Sequence, residues 1–406
     1  MGRTIAASAA PLPQTAPAVV IGGGIAGAVD AFHLARAGIA PLVLERSSQL
    51  AALTTSQAVA CFRKQWDEPD YANLVIPSST FYERFAEETG LSGADAEIGL
   101  RQQGWLFASC APDAAARMAA FVAATRGLGV DDSEALDGDE IRWRFPWISP
   151  SVVAGAYRAR DGWVSPYEVV RGLVRAADGA DVRTHCAVTA ILVSADGSRV
   201  VGVRTAHGDV ATDTVVLAAG PFARSLAASV GVALPVEMIR HHRAMVTPQP
   251  EIPAHGPMTL DTGTGAYWRP EGGGAFLGMG QADELPGEPL DPVPADWMFP
   301  ALVMDAASTV TPFWGVVAGR VSAAEVSVAA GQYTVTADGR PILGRSGIDG
   351  LWLHTGDNGW GIEGGPEAGR HLVSLVTGAV PDDAEHNPYR LDRPGVRPGA
   401  ARGTTY

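Results

Sequence analysis

Between Ala18 and Glu45 the chain reads strand, glycine turn, helix, strand, acid, and few folds accommodate that order. Ala18-Val19-Val20-Ile21 is a short apolar run that enters Gly22-Gly23-Gly24-Ile25-Ala26-Gly27. A helix then carries Val29, Phe32, Leu34 and Ala35 and stops at Gly38, and Pro41-Leu42-Val43-Leu44 ends on Glu45. Gly22, Gly24 and Gly27 therefore satisfy G-x-G-x-x-G inside a βαβ unit. The first glycine permits a tight turn, the second lets backbone approach a diphosphate, and the third lets helix and strand pack closely. The helix start, at Ile25 and Ala26, offers unpaired N–H groups and a partial positive charge to the phosphates. Glu45 is placed to hydrogen-bond ribose hydroxyls. With 48 glycines in the chain the string alone says little; its context predicts a dinucleotide site over a plain glycine-rich turn, without separating FAD from NAD.

The remainder is more than one core usually serves, so two domains or two interleaved ones are expected of 406 residues. Helical stretches are predicted over 81–89 and 112–125, with Trp143 and Trp147 closing that region. Strands return after Asp181: Val188, Ile191, Val193, Val201 and Val203 alternate, and 214–220 reads as a buried strand ending on glycine. Residues 236–335 look mostly like antiparallel sheet with a helix near 296–305, and a last helix is predicted over 366–376. The segments 18–75, 148–235 and 336–382 thus form one discontinuous nucleotide-binding domain, interleaved with a second made of 76–147 and 236–335. A disordered tail is expected over 1–17 and a polar surface tail over 383–406.

The net charge of −14 argues against nucleic acid or an anionic membrane as partner. No apolar run reaches the roughly 18 residues that span a bilayer, and the Ala/Pro-rich start lacks the apolar core of a signal peptide, so the cytoplasm is expected. Cys61, Cys110 and Cys186 are odd in number and form no C-x-x-C pair, which indicates neither a disulfide framework nor a metal site. Lys64 is the only lysine, which limits the cations available to a site.

Six further segments carry a family resemblance. They are Thr54-Thr55-Ser56, Cys61-Phe62-Arg63-Lys64-Gln65-Trp66, Asp161-Gly162-Trp163-Val164-Ser165-Pro166, residues 215–221, Ala266-Tyr267-Trp268-Arg269-Pro270, and the pair formed by 336–344 and 356–369. In this order they resemble the D-amino-acid-oxidase superfamily of FAD enzymes, within it the sarcosine, dimethylglycine and glycine oxidase branch, over about 18–395. The resemblance implies a mixed α/β (α+β) chain: a Rossmann-like FAD domain of the glutathione-reductase type, interleaved with a mostly antiparallel substrate domain. It places Ser56 and Gln57 near the diphosphate, Val188 by the adenine, Ala219 and Gly220 along the phosphate track, and Gly359-Trp360-Gly361-Ile362 under the flavin ring. Arg46 and Thr55 complete the implied cofactor set. The helix beginning by Pro366 would point its positive end at the flavin.

The resemblance also names the chemistry: a hydride leaves the carbon next to a neutral amine, the imine hydrolyses, and O2 reoxidises the flavin to give H2O2. An ammonium with a pKa of about 10 must first lose its proton. His241 matches a histidine near the substrate in dimethylglycine oxidase; in a strand it shares a face with Arg243, while Arg240 and His242 share the other. Tyr267 is the second candidate, with Trp268 as possible pocket wall; solvated His and plain core packing are the bland readings. Arg63 aligns with an arginine that clamps the substrate carboxylate in monomeric sarcosine oxidase, a task suited to its planar fork.

The departures are informative. Gly331 stands where sarcosine oxidase tethers its flavin to a cysteine, so a non-covalent FAD is implied. Phe276 replaces the oxygen-activating lysine, and Glu363 replaces a second carboxylate-binding lysine. Tyr333 stands where glycine oxidase carries a carboxylate-binding arginine. A substrate with a second amine, or with its carboxylate farther from the nitrogen, suits Glu363 better than sarcosine does, unless Glu363 turns away to an arginine. The expected function is FAD-dependent oxidation of a small secondary amine or amino acid. The alternatives are a dehydrogenase using another acceptor, a non-catalytic flavin-bearing subunit and an NAD enzyme, the last leaving 356–369 unexplained.

Overall fold

The computed structural model describes residues 11–280 and 285–396. Its first layer is a six-stranded sheet in the order Ile342–Arg345, Leu351–Thr355, Val215–Leu217, Ala18–Ile21, Pro41–Leu44, Asp181–Arg183. All neighbours are parallel except the edge strand Ile342–Arg345, which runs antiparallel. The strands of such a sheet are buried on both faces, hence their unbroken apolar runs. Along Ala18–Ile21, Val19 and Ile21 join one core cluster while Ala18 and Val20 join another on the opposite face. Helices Ile25–Arg36 and Gly361–Val376 cover that second face and pack against each other.

The second layer is an eight-stranded sheet in the order Val326–Val335, Glu237–Val246, Gly274–Met279, Ala266–Glu271, Met258–Asp261, Trp105–Ser109, Ala154–Arg158, Glu134–Asp137. It is antiparallel throughout except for the pairing of Met258–Asp261 with Trp105–Ser109. Helices Phe299–Ser308 and Phe313–Ala318 close one of its faces around Trp268, Trp314 and Val303. A three-stranded antiparallel sheet, Val188–Val193, Val200–Thr205 and Gly208–Ala211, is inserted between strands of the first layer.

Several expectations are corrected. Residues 11–17 are not a loose tail: Thr15 bridges Ala211, and Leu12 and Ala16 pack on the core; residues 1–10 lie outside the described residues. The stretch 383–396 is exposed or half-buried at most positions, as a surface tail would be, and is pinned by Tyr389 Oη donating to the Asp70 carbonyl at 2.6 Å and Asn387 Nδ2 to that of Leu343 at 2.7 Å; residues 397–406 lie outside the described residues. Ala154–Arg158 lies in the eight-stranded sheet and not with 148–235 in the first layer, and the boundary at 75 falls inside a helix, Pro69–Glu83, that packs on Gly361–Val376. The last helix starts at Gly361, five residues before Pro366. A proline inside a helix leaves the carbonyl four residues back without its N–H. Here that carbonyl belongs to Ile362, and the Tyr82 hydroxyl donates to it at 2.6 Å.

Candidate active site

In open α/β sheets ligands bind beyond the carboxyl ends of the parallel strands. Beyond those ends lies a groove of about 360 Å³, a volume suited to a small molecule or cofactor. The glycine turn forms its floor through Gly22, Gly24, Ile25 and Ala26, and Glu45, Arg46 and Thr55 stand along it. Ala219, Gly220 and Val188 line it farther along, and Gly359, Gly361 and Ile362 close the other end. Backbone must come close here: a Cβ on Gly22 would overlap the Ala218 carbonyl oxygen, and one on Gly27 would overlap that of Gly22. Gly27 therefore serves the packing beneath the groove and does not line it. Ile25 N–H donates to Thr55 Oγ1 at 3.1 Å, and Glu45 accepts from Gly23 N–H at 2.7 Å and Ser47 N–H at 2.6 Å. These bonds set the carboxylate rigidly beside the turn. The cradle fits an extended dinucleotide, with acid for a sugar and helix N–H groups for phosphates.

Ser56 and Gln57 do not line this groove. Gln57 instead lines a small adjoining cavity with Thr54, His241, Tyr267, Gly331 and Tyr333, while Ser56 Oγ donates to the Leu53 carbonyl at 2.8 Å. Tyr333 and Thr54 belong to both spaces and join them. The strand pairing sets His241 opposite Gly331, and the alternation of side chains turns His241 toward this cavity. His241 Nε2 lies 3.1 Å from Tyr267 Oη, and its ring stacks on Tyr333 with centroids 4.6 Å apart. Burial lowers the His241 pKa to about 4, with His242 adding to the effect, so the imidazole is neutral. His242 faces the other way and stacks on Phe299.

Trp268 is not brought to the site. It lies on the opposite sheet face from Tyr267, against Phe313 and Trp314, and donates from Nε1 to Thr311 Oγ1 at 3.0 Å. Phe276 sits between two guanidiniums, with Arg243 and Arg269 4.6 and 4.7 Å from its ring. Those arginines donate to the carbonyls of Ser56, Ala58 and Val59, fixing the segment between groove and cavity.

Arg63 is buried inside an aromatic box, its guanidinium 4.3 Å from the Trp66 ring, 4.6 Å from Trp105 and 5.2 Å from Trp360. Such faces hold a cation by their quadrupole. Asp161 pins the neighbouring loop, accepting from Lys64 N–H and Gln65 Nε2, both at 3.0 Å, and from Arg158. Trp360 thus packs on Arg63 and Trp66 instead of lining the groove. Glu363, in the first turn of the helix that starts at Gly361, is 3% exposed, and its Oε2 makes no hydrogen bond among the described residues. Burial raises its pKa to about 7, against the lowering influence of Arg63.

The sequence reading missed one feature of the groove. His354, which lines it, holds Asp30 through Nδ1 at 2.8 and 2.9 Å and faces Asp357 through Nε2 at 3.6 Å. The only hint was an acid within an otherwise apolar helix face, and its partner is 324 residues away.

The pattern of the family described as "DAO: FAD dependent oxidoreductase" matches residues 18–375. The chain is 28% identical to human (Homo sapiens) mitochondrial sarcosine dehydrogenase over 93% of its own length and 41% of that protein's. It is 28% identical to 4-methylaminobutanoate oxidase (formaldehyde-forming) of Paenarthrobacter nicotinovorans, over 91% of this chain and 45% of that one. It therefore spans less than half the length of these relatives. Its fold matches the crystal structure of L-proline dehydrogenase from P. horikoshii with a TM-score of 0.81 and 23% identity, covering 95% of this chain and all of that one.

Proposed function

We propose, because this chain belongs to the DAO family of FAD dependent oxidoreductases, that it oxidises a C–N bond of a small secondary amine or amino acid. The observation that carries the reading is the neutral His241 hydrogen-bonded to Tyr267 and stacked on Tyr333, which opens onto the cofactor groove. FAD, when bound, supplies the two-electron acceptor. Its residues are those of the groove, and with Gly331 in the adjoining cavity no thiol stands there to tether it.

The chain's own part is to hold the amine in its neutral form. A neutral imidazole can accept a hydrogen bond from the substrate nitrogen, but a group with a pKa near 4 retains no proton at pH 7. The proposed holder of that proton is Glu363, raised to about 7 by burial, which stands one residue after Ile362 of the groove lining and lines neither space itself. Arg63 is the proposed partner of a substrate carboxylate, a role that its planar fork suits; it is buried in its aromatic box and lines neither groove nor cavity. Glu363 beside it offsets part of that charge, favouring a substrate whose carboxylate stands away from the nitrogen or that carries a second amine.

The proposed electron acceptor is O2, with H2O2 as product. A second reading, a dehydrogenase with another acceptor, is favoured by Phe276, which the family resemblance sets where an oxygen-activating lysine would stand and which lies between Arg243 and Arg269. The proposed setting is the cytoplasm, where Cys61, Cys110 and Cys186 stay as thiols. Among the described residues no helix is long and apolar enough to cross a membrane.

The His241→Asn and Tyr267→Phe variants test the proposal under anaerobic conditions. Each is expected to keep its flavin and to slow amine-driven flavin reduction by about tenfold or more. Unchanged reduction rates in both would remove the cluster from the chemistry.

A further inference from the structure

Asp30 lies in the middle of the first helix, fully buried, and His354 is 1% exposed. A buried carboxylate is tolerated only when paired and hydrogen-bonded, and His354 supplies both through Nδ1. Burial disfavours charge on both groups and raises the Asp30 pKa; at His354 the Asp30 carboxyl on Nδ1 and Asp357 outweigh burial and raise the pKa to about 10, so Nδ1–H is held on Asp30 and Nε2 is turned to Asp357. Asp357 is the half-buried member, and both it and His354 line the groove.

A groove that receives a diphosphate gains nothing from a carboxylate beside the phosphates. Its carboxylates must face the ligand's hydroxyls. There are two here, and the strand order separates them. Glu45 follows Pro41–Leu44 on one side of Ala18–Ile21, whereas Asp357 follows Leu351–Thr355, two strands away on the other side. With the diphosphate at the glycine turn between them and the adenosine ribose at Glu45, Asp357 falls to the ribityl half of FAD.

We propose that Asp30 and His354 form a buried ion pair whose task is to hold Asp357 at the groove as acceptor for a hydroxyl of the ribityl chain. Asp357 is then a cofactor-binding residue, and His354 and Asp30 are positioning residues behind it. Arg46, the groove's other cation, pairs with Asp291 and lies over the Phe222 ring, so it does not duplicate His354.

The test strips FAD from the full chain and measures its rebinding by flavin fluorescence, with ADP as a competitor that carries the ribose and phosphates but no ribityl chain. Asp357→Ala is expected to weaken FAD by about tenfold, the worth of a hydrogen bond to a charged acceptor, and to leave ADP within about twofold. His354→Gln and Asp30→Asn are expected to show the same selective loss, and Asp357→Asn, which keeps an acceptor oxygen, a smaller one. Equal weakening of FAD and ADP by Asp357→Ala, or no weakening, would overturn the assignment. A lower apoprotein melting temperature in His354→Gln with FAD affinity unchanged would reduce the pair to a weld between helix and sheet. These measurements contain no amine, so they fail or succeed independently of the reaction proposed above.

Discussion

The six-stranded layer meets the groove with backbone, and the eight-stranded layer meets it with side chains. On the first, glycine positions and a helix start define the cradle, and the one acid beside the turn is locked by two backbone N–H groups. On the second, His241, Tyr267 and Tyr333 come from three different strands and meet only through sheet register. Backbone cradles leave little latitude to substitution, whereas a face made of side chains can be rebuilt one residue at a time. The departures from the resembled pattern, at Gly331, Phe276, Tyr333 and Glu363, fall mostly on the second kind of surface.

The contrast breaks most sharply at Gly27. Gly27→Ala drives a Cβ into the Gly22 carbonyl oxygen beneath the turn, and flavin affinity is expected to fall by about 100-fold, the overpacking cost of up to about 3 kcal/mol. Titration of apoprotein with FAD reads this; full occupancy in the variant would show that the turn tolerates what its geometry forbids.

On the side-chain surface the effects are smaller and specific. Arg63→Lys keeps the charge but loses the planar face that Trp66, Trp105 and Trp360 hold. A KM about tenfold higher for a carboxylate-bearing substrate is expected, with flavin content unchanged. Steady-state kinetics decide; an equal fall in flavin content would make Arg63 structural.

Glu363 sharpens the comparison through pH. Its folded pKa, about 7, lies above the ordinary carboxylate value of 4.5. Between those values the unfolded chain releases a proton that the folded chain keeps, so this group's contribution to stability falls as pH rises from about 4.5 to about 7. Glu363→Gln removes that loss, and its melting temperature is expected to exceed the parent's by a few degrees at pH 8 and to match it near pH 5. A constant difference at both pH values would exclude the titration.

Trp268→Phe is the mildest case. It removes the hydrogen bond to Thr311 and part of a buried ring, so about 1–2 kcal/mol of stability is expected to go, with KM and flavin reduction unaffected. Altered kinetics there would return Trp268 to the pocket.

Gly22, Gly24 and Glu45 are readable because a phosphate turn imposes residue types at fixed spacing. The alternation along 240–243 correctly set His241 and His242 on opposite faces, because a strand's period is two. The same rule, applied at Ala266–Glu271, could not say which of Tyr267 and Trp268 faced inward, since both are buried. Pro366 read as a helix start because proline favours that position; only Tyr82, 280 residues away, relieves the carbonyl that lets the helix begin earlier. Ala154–Arg158 left its neighbours because strand partnership depends on what lies across the sheet. The pairing of Asp30 with His354 has no local signature at all.

The proposed chemistry has His241, Tyr267 and Tyr333 meet an amine beside the cofactor groove. The most direct test adds N-methyl amino acids, cyclic imino acids, D-amino acids and diamines, each in turn, to the flavin-loaded protein without oxygen and follows loss of flavin colour. One class is expected to bleach it, and the His241→Asn variant is expected to bleach more slowly with that class. Readmitting air then separates O2 from another acceptor by the speed at which colour returns. If no class bleaches a flavin that dithionite can reduce, the catalytic reading is contradicted and a non-catalytic flavin-bearing role takes its place.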